Sequence, residues 1–221
     1  ALMYGVALVP VVLFLRRNTA IRLALIIALL AIAYPALRNL GLIPLDSILE
    51  KAASVSAERA QSLEFRFTNE ELLLDRAHSK PWFGWGGWGR NLVLDPETGM
   101  IVTVPDGAWI IVFGTFGWLG YIAQMGLLSA PIIMAALYAR KAKSAEISSF
   151  VPPITLILAA TMTDMLLNAT LTPFTWLCAG AVLGYFERQL YPDWNRGRRS
   201  LFGAGPAIGG KTQPDARKTV I

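Results

Sequence analysis

Apolar residues along this chain gather in long unbroken runs, not in the strict alternation of strands or the narrow stripe of a soluble amphipathic helix. A helix needs about 20 mostly apolar residues to cross a hydrocarbon core of roughly 30 Å. Leu2 to Leu15 is a first run, cut short because the chain opens at Ala1 inside it, and Ala20 to Leu37 is a second, with Pro35 near its exit. Ala108 to Tyr138 is a third. It is too long for one perpendicular crossing, and Gly114, Gly117 and Gly120 are expected to split a short interfacial piece from the true span. Phe150 to Asn168 and Pro173 to Phe186 are a fourth and a fifth, joined by a few residues and expected to form a tight helical hairpin. The first run has neither a basic leader nor a small-residue cleavage site, so it does not read as a signal peptide. It reads instead as a span of a longer membrane protein of which this chain is the C-terminal part. The pattern predicts an all-α integral membrane protein with about five transmembrane helices and an external helical segment between the second and third. Residues 1–37 would hold two spans, 38–107 the external segment, 108–187 three spans and 188–221 a basic flexible tail.

Composition agrees with that pattern. Hydrophobic residues are 54%, charged residues 16% and mean hydropathy is +0.48, whereas soluble proteins are about 25% charged. One Cys and 19 Gly without a period exclude a disulfide scaffold and a collagen. A net charge of +5 would suit nucleic acid, but the positions of the charges argue otherwise. Of the 20 basic residues, 13 fall in three stretches that five crossings put on one side: Arg16, Arg17 and Arg22; Arg140, Lys141 and Lys143; and the tail from Arg188 to Lys218. Basic connections mark the cytoplasmic side, and anionic membrane lipid is the expected partner of the tail. The stretch from Arg38 to Asp106 carries 10 of the 15 acidic residues and is placed on the periplasmic side of an inner membrane.

Within that stretch, Ser47-Ile48-Leu49-Glu50 fits a capping box, and Thr68-Asn69-Glu70-Glu71 fits a second, with Phe67 and Leu72 as its hydrophobic staple. The helix so started would stop before Pro81 and leave Arg66 beside its N-terminus, where free amides and the helix dipole favour an anion. Gly84, Gly86 and Gly89 match G-x-G-x-x-G by letter, but no strand leads in, so a dinucleotide site is rejected. Those glycines are expected to let a tight loop approach another backbone or a ligand. The tryptophans among them, Trp85 and Trp88 included, read either as an interfacial aromatic belt or as a stacking platform for sugar rings.

In order, Arg66, then Pro81-Trp82-Phe83-Gly84-Trp85-Gly86, then Val104-Pro105-Asp106-Gly107-Ala108-Trp109 and Phe116-Gly117-Trp118-Leu119-Gly120-Tyr121 resemble the C-terminal half of the O-antigen ligase and polymerase-like membrane proteins, which include exopolysaccharide polymerases. Asp164 to Asn168, Pro173, and Gly180 to Gly184 look like the end of the polymerase-like branch. The resemblance spans roughly residues 50 to 187. It implies glycosyl transfer from a polyprenyl-diphosphate carrier at the outer face of the bacterial inner membrane, with no metal or other cofactor. It further implies chain-length or export proteins as additional partners. Arg66 matches the loop arginine that precedes P-x-x-G-x-G and would hold the diphosphate; Arg59, Arg76 and Arg90 match less well. Where many ligases carry a His-Asn pair, this chain has Asp106-Gly107.

Each of these residues also has a plainer reading. An arginine suits a diphosphate through its rigid bidentate fork, but could equally pair with Glu58, Glu64, Glu70 or Asp75. Asp106 is either a proton acceptor for a sugar hydroxyl or the cap of the third span. Asp164 and Asn168, four apart, share a helix face. They belong either to the site or to hydrogen bonds with Thr161, Thr170 or Thr172 that fix the hairpin. His78 reads first as a surface residue and second as a proton-transfer group, Cys178 as a packing residue, and a lone His with a lone Cys offers no metal ligand set. Two other functions compete with glycosyl transfer: a transporter using Asp164, and a non-catalytic subunit of a polysaccharide assembly complex.

Overall fold

Small and large apolar residues segregate on the first long helix. Ala20, Ala24, Ala28 and Ala31 recur at helical spacing and are buried, whereas Ile26, Leu29 and Leu30 point outward and are 49–61% exposed. Small residues inside let helix backbones approach closely, and large ones outside suit lipid. The computed structural model describes residues 9–190, whose regular elements are all helical. After a short helical stretch at 9–14 come α1 (Arg17–Asn39), α2 (Leu45–Val55), α3 (Ala57–His78), α4 (Ala108–Lys141), a 3₁₀ turn (Ser144–Glu146), α5 (Val151–Leu167) and α6 (Pro173–Leu190). Among the described residues, the only β-type pairing is a bridge between Leu94 and Ile101. Two helices among the described residues, α1 and α4, are long and apolar enough to cross a membrane, and α5 is a shorter apolar helix. Residues 1–8 of the first expected span lie outside the described residues, as do Arg196, Arg198, Arg199, Lys211, Arg217 and Lys218 of the expected tail.

The packed unit is built around α1, against which α4 and α5 lie. Pro35 interrupts the hydrogen bonding of α1, because a proline cannot donate to the carbonyl four residues back. Tyr121 of α4 replaces the missing donor: its hydroxyl donates to Ile32 O at 3.0 Å and Ala31 O at 3.4 Å. At the opposite end Asn18 donates to Ala139 O and Ala142 O, and Arg17 to Ile147 O. The basic connections around Arg16 and Lys141 therefore sit together, remote from the Tyr34 and Arg38 end of α1.

The long third run breaks where its glycines suggested. Gly117 has φ 66° and ψ −163°, which divides α4 into 108–116 and 118–141. The first piece is not a superficial one, since Trp109 and Phe113 are almost fully buried. It runs across the end of α1: Trp109 meets Tyr34 while Tyr121, twelve residues later, meets Ala31 and Ile32. The loop Pro81–Gly86 fills the break. Trp118 N donates to Pro81 O (2.7 Å), Leu119 N to Trp82 O (3.3 Å), Trp85 N to Gly114 O (2.9 Å) and Gly86 N to Thr115 O (2.8 Å). A methyl group on Gly84 or Gly117 would stand 2.4 Å from the facing backbone. Of the three glycines expected to approach another backbone or a ligand, Gly84 meets the backbone of Thr115, whereas Gly86 faces the Arg90 side chain and Gly89 that of Leu92.

Both expected capping boxes are corrected. Pro44, not a residue that makes Ser47 the cap, precedes α2, and Ser47 lies inside the helix. Thr68 is in the middle of α3, whose N-cap is Ser56, with Oγ accepting from Arg59 N at 3.5 Å. Thr68 Oγ1 donates back to Glu64 O (2.9 Å), which leaves the helix continuous. Leu72 is 43% exposed, so Phe67 and Leu72 form no staple. Arg66 consequently lies inside α3 and not beside a helix start at Thr68. The α5–α6 hairpin is also looser than expected: only residues 168–172 connect the helices, yet a cavity of about 690 Å³ opens among α5, the start of α6 and residues 9–13.

Candidate functional site

The end of the molecule opposite the basic connections is assembled by α3. Asn69, buried in that helix, accepts from Val104 N at 2.8 Å and donates to Phe65 O at 2.8 Å. This clamps the strand-like approach to α4, so that Asp106 lies beside Arg66. Gly107 then packs against Leu166 O, where an added methyl would stand 2.5 Å away, and Ala108 N donates to Asn168 O at 3.3 Å. These contacts bring α3, the entry of α4 and the exit of α5 to one place.

A polar string follows. Arg66 Nε lies 3.6 Å from Asp106 Oδ2, with both side chains 35% exposed. Arg66 Nη1 donates to Leu167 O (3.1 Å) and Asn168 Oδ1 (3.3 Å). Asn168 Nδ2 donates to Asp164 Oδ1 (3.1 Å), and Thr170 Oγ1 donates to Asp164 Oδ2 (2.7 Å). Arg66, Asp106, Asp164 and Asn168, expected at the site from sequence, therefore come together. Asp106 is not the cap of α4; that position belongs to Gly107. Of the threonines considered for Asp164, only Thr170 reaches it, since Thr161 bonds Ile157 O and Thr172 meets Thr175.

The string joins two spaces of different character. At the Arg66 end is a cleft bounded by Glu70, Asp106, Gly107 and Leu167, with free volume of about 10 Å³, room for one water. At the Asp164 end is the 690 Å³ cavity, lined by Val12, Leu156, Ile157, Ala160 and Phe174 among others. Its walls are apolar apart from Asp164 and the hydroxyls of Thr161, Thr170, Thr172 and Thr175.

The other expected residues lie elsewhere. Arg59 is exposed on the first half of α3. Arg76 donates from Nε and Nη2 to Arg90 O, at 3.1 and 2.9 Å, and Arg90 Nε donates to Gly87 O at 3.1 Å. Trp85 is held against the end of α3: Nε1 donates to Arg76 O at 2.9 Å, and Arg76 and Lys80 lie 4.1 and 4.2 Å from the ring centre. Trp88 is 99% exposed. His78 is exposed and pairs with Asn39 at 3.1 Å. Cys178 is buried, as a packing residue would be.

One cluster was missed as a unit. Glu70 accepts from Arg38 Nε (2.9 Å), Tyr34 OH (3.0 Å) and Trp109 Nε1 (3.3 Å), while Arg38 also donates to Glu71 at 2.5 Å. Burial holds the Glu70 carboxyl above the usual glutamate range, and hydrogen bonds from Arg38 and Tyr34 oppose that rise. The signal available in sequence was Tyr34 and Arg38, one turn apart at the exit of an apolar run. No family model, no curated protein and no solved structure matches the chain. Among the described residues the regular elements are all helical, and two of the helices are long and apolar enough to cross a membrane.

Proposed function

We propose that this chain is part of a multi-pass glycosyltransferase that polymerises or ligates polyprenyl-diphosphate-linked glycan at the outer face of the bacterial inner membrane. Its spans would number about five, with the basic connections in the cytoplasm and residues 38–107 on the periplasmic side. The observation that carries this reading is the string from Arg66 to Asp164, which links a partly exposed guanidinium to a large apolar cavity. A lipid diphosphate needs such a pair of environments, one for its head and one for its chain.

In this mechanism the diphosphate displaces Asp106 and Leu167 O from Arg66. The guanidinium then offers two parallel donors to phosphate oxygens, each charge-assisted bond contributing about 1.5–3 kcal/mol. The bond between the anomeric carbon and the diphosphate oxygen breaks, and its electron pair leaves with the diphosphate, whose growing charge Arg66 offsets. The acceptor hydroxyl oxygen bonds to the anomeric carbon, and its proton passes to Asp106, freed from its ion pair. Asn168 positions Arg66 from the far side, Asp164 holds Asn168, and Thr170 holds Asp164.

The test is synthesis from lipid-linked repeat units by the full-length protein in proteoliposomes. Arg66→Ala is expected to abolish polymer; polymer of normal length and amount would contradict the assignment. Transport through Asp164 is a second reading, favoured by the position of that carboxylate on the cavity wall. Flux of substrate without glycan product would select it.

A further inference from the structure

We propose that the loop from Lys80 to Arg90 is an anchor that inserts into the interfacial zone of an anionic bilayer and sets the depth of the neighbouring helix break. Three large aromatic side chains project from it: Trp82 is 63% exposed, Phe83 76% and Trp88 99%. Side chains of this kind, with apolar bodies, favour the headgroup level of a membrane, and Trp does so most. The surface continues onto α4. The backbone of Trp82 and Phe83 abuts Gly117, and the flanking Phe116, Leu119 and Ile122 are 50–60% exposed on a helix able to cross a membrane.

Charge points the same way. From Arg76 to Leu94 the chain contains Arg76, Lys80 and Arg90 and no carboxylate, which suits anionic headgroups. Rigidity adds to this, because four backbone hydrogen bonds tie residues 81–86 to α4, so the backbone that carries Trp82 and Phe83 is held in place. Trp88 has φ 67°, a left-handed conformation that is strained for a bulky residue, and its ring is fully exposed. A sugar platform fits less well. Trp85, the ring with polar company, has cations on its face, and Trp88 is flanked by Gly87 and Gly89, which bring no side-chain donors for hydroxyls.

The experiment uses the full chain carrying Cys178→Ala and one introduced cysteine: Phe83→Cys, Trp88→Cys or, as the aqueous control, Thr98→Cys. Each is spin-labelled and reconstituted in vesicles of phosphatidylethanolamine and phosphatidylglycerol. Positions 83 and 88 are exposed, so the substitutions leave the backbone bonds to α4 intact. Labels at 83 and 88 are expected to show an oxygen-to-nickel-chelate accessibility ratio several-fold above that at 98. Ratios equal to that at 98 would overturn the anchor. So would labels that are water-accessible alone and protected only when polysaccharide is added, the result expected of a glycan platform.

Discussion

Arg38 and Arg66 stand at the same end of the molecule, each against a carboxylate, and their surroundings differ. The Arg38–Glu70 pair is buried, at 9% and 8% side-chain exposure, with a 2.9 Å contact and further donors from Tyr34 and Trp109. The Arg66–Asp106 pair is 35% exposed on both sides, and its contact is 3.6 Å. Glu70 is only one helical turn from Arg66 along α3. Identical chemistry thus yields a clamp in one place and an exchangeable pair in the other. The clamp ties α1, α3 and α4 together, and its ions cannot be rehydrated without opening the fold. The open pair lies beside a cleft, where a stronger anion can take the guanidinium from Asp106.

The largest effect expected from this contrast is on stability. Arg38→Ala leaves Glu70 buried without its cation, and breaking such pairs costs about 3–5 kcal/mol. Thermal unfolding in detergent should show a large drop in Tm; a shift no greater than that of Arg66→Ala would erase the distinction between the pairs. Removing an exposed pair costs about 0–1 kcal/mol, so Arg66→Ala should unfold near the wild-type temperature.

Next in size is the effect of freeing Arg66. Asp106→Asn removes the competing carboxylate, so pyrophosphate affinity should rise by up to about fivefold, the scale of an exposed ion pair worth about 0–1 kcal/mol. Unchanged affinity in a titration would mean that Asp106 does not compete. Smallest is a pH effect on the clamp. Burial raises the Glu70 carboxyl in the fold, so between its unfolded and folded values, and only there, the folded chain keeps a proton that the unfolded chain has lost. The stability Glu70 contributes is full below the unfolded value of about 4.3 and is lost as pH rises through its folded value. The Tm difference between wild type and Glu70→Gln should therefore shift against wild type across that rise. A flat difference would contradict the burial of the charge.

Much of the fold could be read from the sequence because apolar run length sets helices directly. The second, third, fourth and fifth runs became α1, α4, α5 and α6 with ends shifted by a few residues. The break at Gly117 and the close approach of Gly84 followed from the conformational freedom of glycine. Capping signals misled because Thr68 and Glu71 have the same spacing inside a helix as at its start. Only the tertiary environment decides whether Thr68 caps an amide forward or bonds Glu64 behind it. The convergence of Arg66, Asp106 and Asn168 depends on contacts 35 to 102 residues apart, and Asn69, which brings Val104 into line, carried no distinguishing pattern. Glu70 was visible only as one of several acids, since its partner Arg38 lies 32 residues away.

The most direct test of the division between clamp and open pair is calorimetric titration of inorganic pyrophosphate into the full chain and its Arg66→Ala variant. Loss of a charge-assisted contact of about 1.5–3 kcal/mol predicts an affinity lower by about tenfold or more, at an almost unchanged Tm. Pyrophosphate binding to Arg66→Ala as tightly as to wild type would contradict the role given to Arg66.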